Sequence, residues 1–179
     1  MIRYRKLYES EDSDIKLYDT VRCGDYDWYV IGIEGDIVTL LAKNSDFGVL
    51  MFDEESSIYE NSEIRRYLKN KVLPRLQNVN PISTDLKDVF CTDKVWLLSM
   101  DEAKKLPRKV KFFSDNWWLR SRGWYGHGHG SRGCYVYGYY VDWAAYVAGD
   151  DGTVLDGYPV NYEYFAVRPA IRVRIEDLD

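Results

Sequence analysis

Apolar residues broken by polar ones run through Lys16–Arg22 and Asp27–Glu34, and both runs are rich in β-branched and aromatic side chains. Gly35-Asp36 then turns the second run into Ile37–Ala42, so the first quarter of the chain predicts a three-stranded meander. The period changes after Ser62. Ile64, Tyr67, Leu68 and Val72 fall on one face of a helix over Glu63–Val72, with Ser62 as its cap and Pro74 marking its end. Gln77–Lys87 is polar and contains Pro81, which predicts a loop. Val95–Leu98 reads as a short buried strand. Ser99 with Glu102 forms a capping box for a second helix, Met100–Leu106, which Pro107 stops. Further strands are predicted at Trp117–Ser121, Tyr135–Val141, Ala144–Ala148, Thr153–Leu155 and Val167–Val173, with Asp151-Gly152 as a hairpin turn. The sum is an α+β domain with a small, twisted, mostly antiparallel sheet, two helices and a long loop-rich C-terminal half. Trp28, Trp96, Trp117, Trp118 and Val167 are expected in its core. No repeat or linker divides residues 1–179, and residues 1–14 are a candidate N-terminal extension.

Composition narrows the class. A chain of 179 residues with 46% hydrophobic and 30% charged residues is long enough to bury about two-thirds of the surface its unfolded form exposes. A net charge of −5 argues against a general nucleic-acid binder, which needs a basic face. No apolar run reaches the ~18 residues of a spanning helix, and MIRYRKLYESED shows no signal-peptide core. Cys23, Cys91 and Cys134 are odd in number and widely spaced, which suits free thiols and leaves the compartment open.

The strongest signal is a change of alphabet. From Ser121 to Tyr162 there is no Lys, Glu, Gln or Met, while Tyr, Gly, Ser, Asp, His and Arg crowd in. Tyr offers large amphipathic contact area at small entropic cost, and Ser, Gly and Asn offer adaptable hydrogen bonds, as on a recognition surface. Exposed β-loops favour Tyr and Gly for structural reasons as well. The candidate ligand-binding positions are Arg122, Tyr125, His127, His129, Ser131, Arg132, Tyr135, Tyr137, Tyr139, Tyr140 and Asp142, joined by Asp156, Tyr158, Asn161, Tyr162 and Tyr164. The expected anchors are Tyr125, Tyr139, Tyr140, Tyr158 and Tyr162, on one exposed face built by 122–142 and 156–164. The tyrosines of YVYGYYVDW divide between packing and recognition. His127, His129 and Cys134 fall short of a closed metal site, and Asp150, Asp151 and Asp156 read as turn chemistry before a calcium loop. Arg120 and Arg168 read as scaffold cations, each paired with a buried carboxylate. No Ser-His-Asp spacing, phosphate-binding glycine motif or HExxH occurs, so no cofactor, metal or catalytic activity is expected.

Four segments carry a resemblance: DKVWLLSMDEA (Asp93–Ala103), WWLRS (Trp117–Ser121), AAYV (Ala144–Val147) and VRPA (Val167–Ala170). In this order they resemble a family of bacterial domains of unassigned activity with the C-type-lectin fold, over about Lys16 to Val173. The ending also resembles the formylglycine-generating-enzyme branch of that fold. Two positions depart from the family pattern, Arg122 in place of Pro and Ala166 in place of Gly, and the insert from Arg122 to Trp143 is long. Formylglycine-generating enzymes rely on a pair of active-site cysteines, and the corresponding region here has Cys134 alone. Within this fold, the variable proteins of diversity-generating retroelements match the altered alphabet. Adenine mutagenesis of A-A-pyrimidine codons yields Asn, Tyr, Asp, His, Ser, Gly, Cys and Arg, and never Lys, Glu, Gln, Met or Trp. The resemblance therefore implies a variable region over 121–164, with Trp124 and Trp143 as fixed scaffold. It implies a protein or glycan ligand on a cell surface, a location on a cell surface or virion, and no activity as an enzyme. A fixed carbohydrate- or cell-wall-binding module is the alternative. Oligomeric state stays open.

Overall fold

The structure, a computed structural model, describes residues 15–76, 78–124, 133–136 and 139–179, the side chains at 133–136, 139 and 140 excepted. It is an α+β protein with mostly antiparallel sheets and few helices. Its strands are β1 (Thr20–Cys23), β2 (Tyr26–Glu34), β3 (Ile37–Ala42), β4 (Thr84–Leu86), β5 (Cys91–Asp93), β6 (Val95–Trp96), β7 (Trp117–Arg122), β8 (Gly133–Val136), β9 (Tyr139–Val147), β10 (Val154–Pro159) and β11 (Ala170–Arg174). The helices α1 (Glu63–Tyr67), α2 (Met100–Lys105) and α3 (Arg108–Lys111) are short.

The N-terminal meander forms as its β-branched and aromatic runs and the Gly35-Asp36 turn predict, and it leads a five-stranded sheet in the order β1-β2-β3-β11-β6. Gly35 makes the turn at φ +63°, a conformation that costs a residue without a Cβ little. The C-terminal strand β11 inserts between β3 and β6, so both ends of the described chain meet in one sheet. A second sheet runs β10-β9-β7, with β8 on the first half of β9. Trp28, Trp96, Trp117, Trp118 and Val167 are all buried, as expected, in one cluster shared by both sheets. Each deeply buried indole keeps its N–H satisfied: Trp28 donates to the Cys23 carbonyl at 3.1 Å, Trp117 to Lys111 at 3.2 Å and Trp118 to Leu50 at 2.8 Å.

Several boundaries differ from expectation. Lys16–Asp19 is a turn closed by the Asp19 N–H on the Lys16 carbonyl, with Tyr18 at φ +72°, so β1 begins only at Thr20. Ser62 caps α1, accepting from the Arg65 N–H at 3.3 Å, but Pro74 does not end the helical segment. The turn widens to a π-helix over Leu68–Val72, in which Leu73 N–H reaches the Leu68 carbonyl, and a 3-10 turn over Leu73–Leu76 carries Pro74. Widening the turn relieves the clash that a proline ring makes with the carbonyl four residues before it. The polar stretch 77–87 hides β4, whose partner β5 supplies the pairing that the sequence pattern lacks. Pro107 stops α2 and also precedes α3, since a proline tolerates a helix start. Strand β8 pairs antiparallel with the first half of the long β9, where the sequence predicts strands over Tyr135–Val141 and Ala144–Ala148. Strand β10 extends to Pro159, and Val167–Pro169 is buried chain ahead of β11.

The two scaffold arginines behave differently. Arg120 is buried and fully engaged: it clamps Asp88 at 2.8 Å and Glu102 at 2.7 Å and donates to the Leu97 carbonyl at 2.8 Å. Its carboxylates are themselves about two-fifths exposed, so this is a buried cation meeting half-exposed anions. For Arg168 the expected carboxylate is overturned. Its guanidinium lies between the rings of Phe113 at 4.6 Å and Trp117 at 4.8 Å. Its Nε donates to the Ala42 carbonyl at 2.8 Å, while Nη1 and Nη2 make no hydrogen bond to any described residue. Burial pushes its pKa down to about 9.

Candidate functional site

The restricted alphabet coincides with one sheet. Strand β9 is central: β7 and β10 pair with its second half, and β8 pairs with its first. Four backbone bonds fix the rim of this sheet. Gly123 N–H donates to Trp143 at 2.6 Å, Trp124 to Asp156 at 2.9 Å, Asp142 to Glu55 at 2.9 Å and Val160 to Asp142 at 3.1 Å. The approach at Gly123 is so close that a Cβ there would sit 2.6 Å from the Asp156 carbonyl oxygen and 2.8 Å from the Gly157 Cα. Glycine is obligatory at this position for steric reasons.

On this sheet Tyr146, Tyr158, Tyr162 and Tyr164 form a row, with ring centroids 5.7, 4.8 and 5.5 Å apart in sequence. Neighbouring rings cross at 78°, 67° and 69°, the edge-to-face arrangement that the ring quadrupole favours. The buried Phe165 backs the row, lying 4.8, 4.9 and 5.0 Å from Tyr146, Tyr158 and Tyr162. Tyr158 and Tyr162 are therefore half-buried and packed on the core, a correction to their reading as freely exposed anchors. Tyr164, at 68% exposure, ends the row in solvent, and Asp156 and Asn161 are exposed as expected. Sequence reasoning missed Tyr146, because AAYV read only as a scaffold strand. Its place within the altered alphabet was the available signal. Burial, then the neighbouring Tyr158, raises the Tyr146 pKa.

Asp142 is a second correction. It was expected to tune polarity on an open surface, yet its side chain is only 14% exposed. It accepts the N–H and hydroxyl of buried Ser57 at 3.1 and 2.9 Å, and Arg122 Nη2 lies 3.3 Å away. Arg122 Nε in turn donates to the Ser57 hydroxyl at 3.0 Å. This node ties the 55–57 segment to β9 and β7. Replacing Asp142 by Ala should therefore cost about 1–3 kcal/mol, because the Ser57 N–H and the Arg122 guanidinium lose their acceptor. Urea unfolding of Asp142→Ala checks this, and a loss below about 0.5 kcal/mol would return the residue to the open surface.

Tyr125, His127, His129, Ser131, Arg132 and Tyr137 lie outside the described residues. Tyr135 and Tyr140 face each other across the β8–β9 pair, and Tyr139 opposes Val136, in backbone register; their side chains lie outside the described set. Trp124, half-exposed at 49%, and the half-buried Trp143 flank the Gly123 contact.

Away from this sheet, burial and then Asp179 and Asp177 push the Cys23 thiol up to about 12, and burial with Asp93 pushes Cys91 to about 11. Both remain thiols at neutral pH and are poor nucleophiles. Among the described residues no group of three or more His, Cys, Asp or Glu side chains is placed to hold a metal ion, and no helix is long and apolar enough to cross a membrane. A cavity of about 630 Å³ opens between the first sheet, the β4–β5 hairpin and α2, with Trp96 and Leu98 in its lining and Arg120 at its wall. No local pattern in the chain marks it, since its lining runs from Tyr18 to Arg172 in stretches far apart in sequence.

No protein-family model, curated protein or solved structure matches this chain.

Proposed function

We propose that this is a ligand-binding protein of C-type-lectin-like fold that presents a diversified surface, the variable protein of a diversity-generating retroelement. The observation that carries the reading is the absence of Lys, Glu, Gln and Met from Ser121 to Tyr162, a stretch that coincides with the sheet of β8, β9 and β10 and its rim. Its buried members, Val141, Ala144, Ala145, Val147 and Val160, are apolar residues that hold the sheet on the core. The ligand is a protein or glycan on a cell surface. The function is recognition without catalysis, and no cofactor or metal takes part. The diversified positions are those free of core contact, with Tyr164, Asn161 and Asp156 from the described set beside Tyr125, His127, His129, Ser131 and Arg132.

Two experiments test this. The neighbouring DNA should hold a reverse-transcriptase gene and a near-copy of the Trp117–Ala170 coding stretch in which variable Tyr, His and Asp codons stand as A-A-pyrimidine. A variant with Tyr125, His127, His129, Ser131, Arg132, Asp156, Asn161 and Tyr164 randomised together should keep a cooperative thermal transition while its binding is lost or redirected. Surface changes of this kind shift stability by less than about 0.5 kcal/mol each. Loss of cooperativity would make the face structural and end the proposal. The packed tyrosine row favours one alternative, a fixed glycan- or cell-wall-binding strip. In that case Tyr164→Ala would abolish binding and the DNA would hold no near-copy.

A further inference from the structure

The chain is acidic overall, yet Lys104, Lys105, Arg108, Lys109 and Lys111 put five cations into eight consecutive positions. Three of them converge. Lys104 at the end of α2 and Arg108 and Lys111 on α3 line a groove of about 490 Å³, closed on its other side by Asp151, Gly152, Thr153 and Val154.

The seating of Arg108 sets this groove apart from a solvated basic face. Its Nε donates to the Asp151 carbonyl at 3.1 Å, and its guanidinium lies 5.2 Å from the ring centroid of Phe112. One edge and one face of the fork are thus fixed, while Nη1 and Nη2 bond to no described residue. The Lys104 and Lys111 ammonium groups likewise pair with no described residue. Gly152 makes the close fit feasible. At φ +76° it brings the turn against α3 so tightly that a Cβ there would lie 3.0 Å from the Lys111 Cβ. The turn is itself stiff, with Gly152 N–H on the Ala148 carbonyl at 2.8 Å and Thr153 N–H on the Asp151 carboxylate at 2.7 Å. The Asp151 carboxylate leaves the groove with three cations against one anion.

We infer that this groove binds a sugar bearing a tetrahedral oxyanion, a phosphate or sulfate ester. A guanidinium immobilised at Nε offers two parallel donors to two oxygens of such a group, which a flexible ammonium cannot do. The flanking lysines supply unpaired charge, and the groove is far larger than an inorganic ion requires. The site shares no side chain with the tyrosine row or the Asp142 node. Its wall at 151–154 falls within the restricted stretch, but the cations that test it lie outside that stretch, so its test is independent of that reading.

The test is isothermal titration of the full chain at low ionic strength with glucose 6-phosphate, glucose 6-sulfate and glucose. Either ester should saturate one site while glucose does not bind, and the tighter ester identifies the source as a phosphorylated or a sulfated glycan. Arg108→Lys, which keeps the charge but not the fork, should weaken ester binding at least tenfold, and Lys104→Gln and Lys111→Gln several-fold each. Lys94→Gln, on an exposed residue outside the groove, should leave it unchanged. Thermal melts of all four variants should overlay the parent, and the two glutamine variants carry the test if Arg108→Lys melts early. Failure of both esters to bind at millimolar concentration overturns the site. So does equal weakening by Lys94→Gln and the groove variants, which would reduce the groove to diffuse surface charge.

Discussion

Replacing Trp118 by Ala will cost about 3–5 kcal/mol and leave the domain largely unfolded at ordinary temperature, given the narrow stability margin of most domains. The indole is fully buried, with Phe165 at 4.6 Å and Phe52 at 5.9 Å from ring centroid to ring centroid. Its N–H holds the Leu50 carbonyl, which truncation leaves without that donor. Its backbone N–H also holds Ala166 at 3.3 Å, so the residue joins β7 to the chain leading into β11. Because Phe165 backs the tyrosine row, the cavity would loosen Tyr158 and Tyr162 together with the core. Urea denaturation should show the midpoint collapse. A loss of unfolding free energy below about 1 kcal/mol would mean that the two sheets do not depend on this contact.

The second large effect has the opposite sign. Arg168→Met should stabilise the protein by about 1–4 kcal/mol, the range seen when buried ionic groups are exchanged for well-packed apolar ones. Arg168 is wholly buried, faces no carboxylate among the described residues and leaves two nitrogens unbonded. Its favourable contacts are the stacking on Phe113 and Trp117 and one bond to the Ala42 carbonyl. Desolvated cation–π contacts contribute about 2 kcal/mol each, against a desolvation cost of several kcal/mol for the charge. Methionine keeps the apolar stem and the sulfur–ring contact. Arg168→Ala, which leaves a void between the two rings, should destabilise instead. Chemical denaturation of both variants decides the matter, and a loss of stability in Arg168→Met would show that the stacking outweighs the burial.

Much of this was legible along the chain where a local device dictates structure. The Ser99–Glu102 capping box, the Ser62 cap, the Gly35 turn and the Asp151-Gly152 turn all sit where their side chains and backbone freedom require. Elements fixed by distant partners were not legible. Strand β4 exists because β5 pairs with it, and the helical segment passes Pro74 because a π turn makes room. The same division applies to the binding face. The altered alphabet located the sheet, but it could not separate Tyr164, which is open, from Tyr158 and Tyr162, which rest on a phenylalanine in the adjoining chain. Nor could it separate Asp142 from its exposed neighbours, because Ser57 lies 85 residues away. Charge pattern showed a basic run at 104–111, whereas the fixed seat of Arg108 depends on a turn more than forty residues later.

The backbone bonds at Gly123, Trp124 and Asp142 have a consequence for engineering. They hold the two ends of the intervening chain to Trp143, Asp156 and Glu55, residues that do not belong to it. The ends of the span are thus moored by partners outside it, and the register of β9 against β7 and β10 is set over Trp143–Val147, beyond the span. Doubling such a span costs only about 0.6 kcal/mol of closure entropy. Foreign segments of unequal length become exchangeable cassettes between Trp124 and Gly133, ahead of the β8–β9 pair and the buried Val141, and the frame becomes a scaffold for displaying peptides.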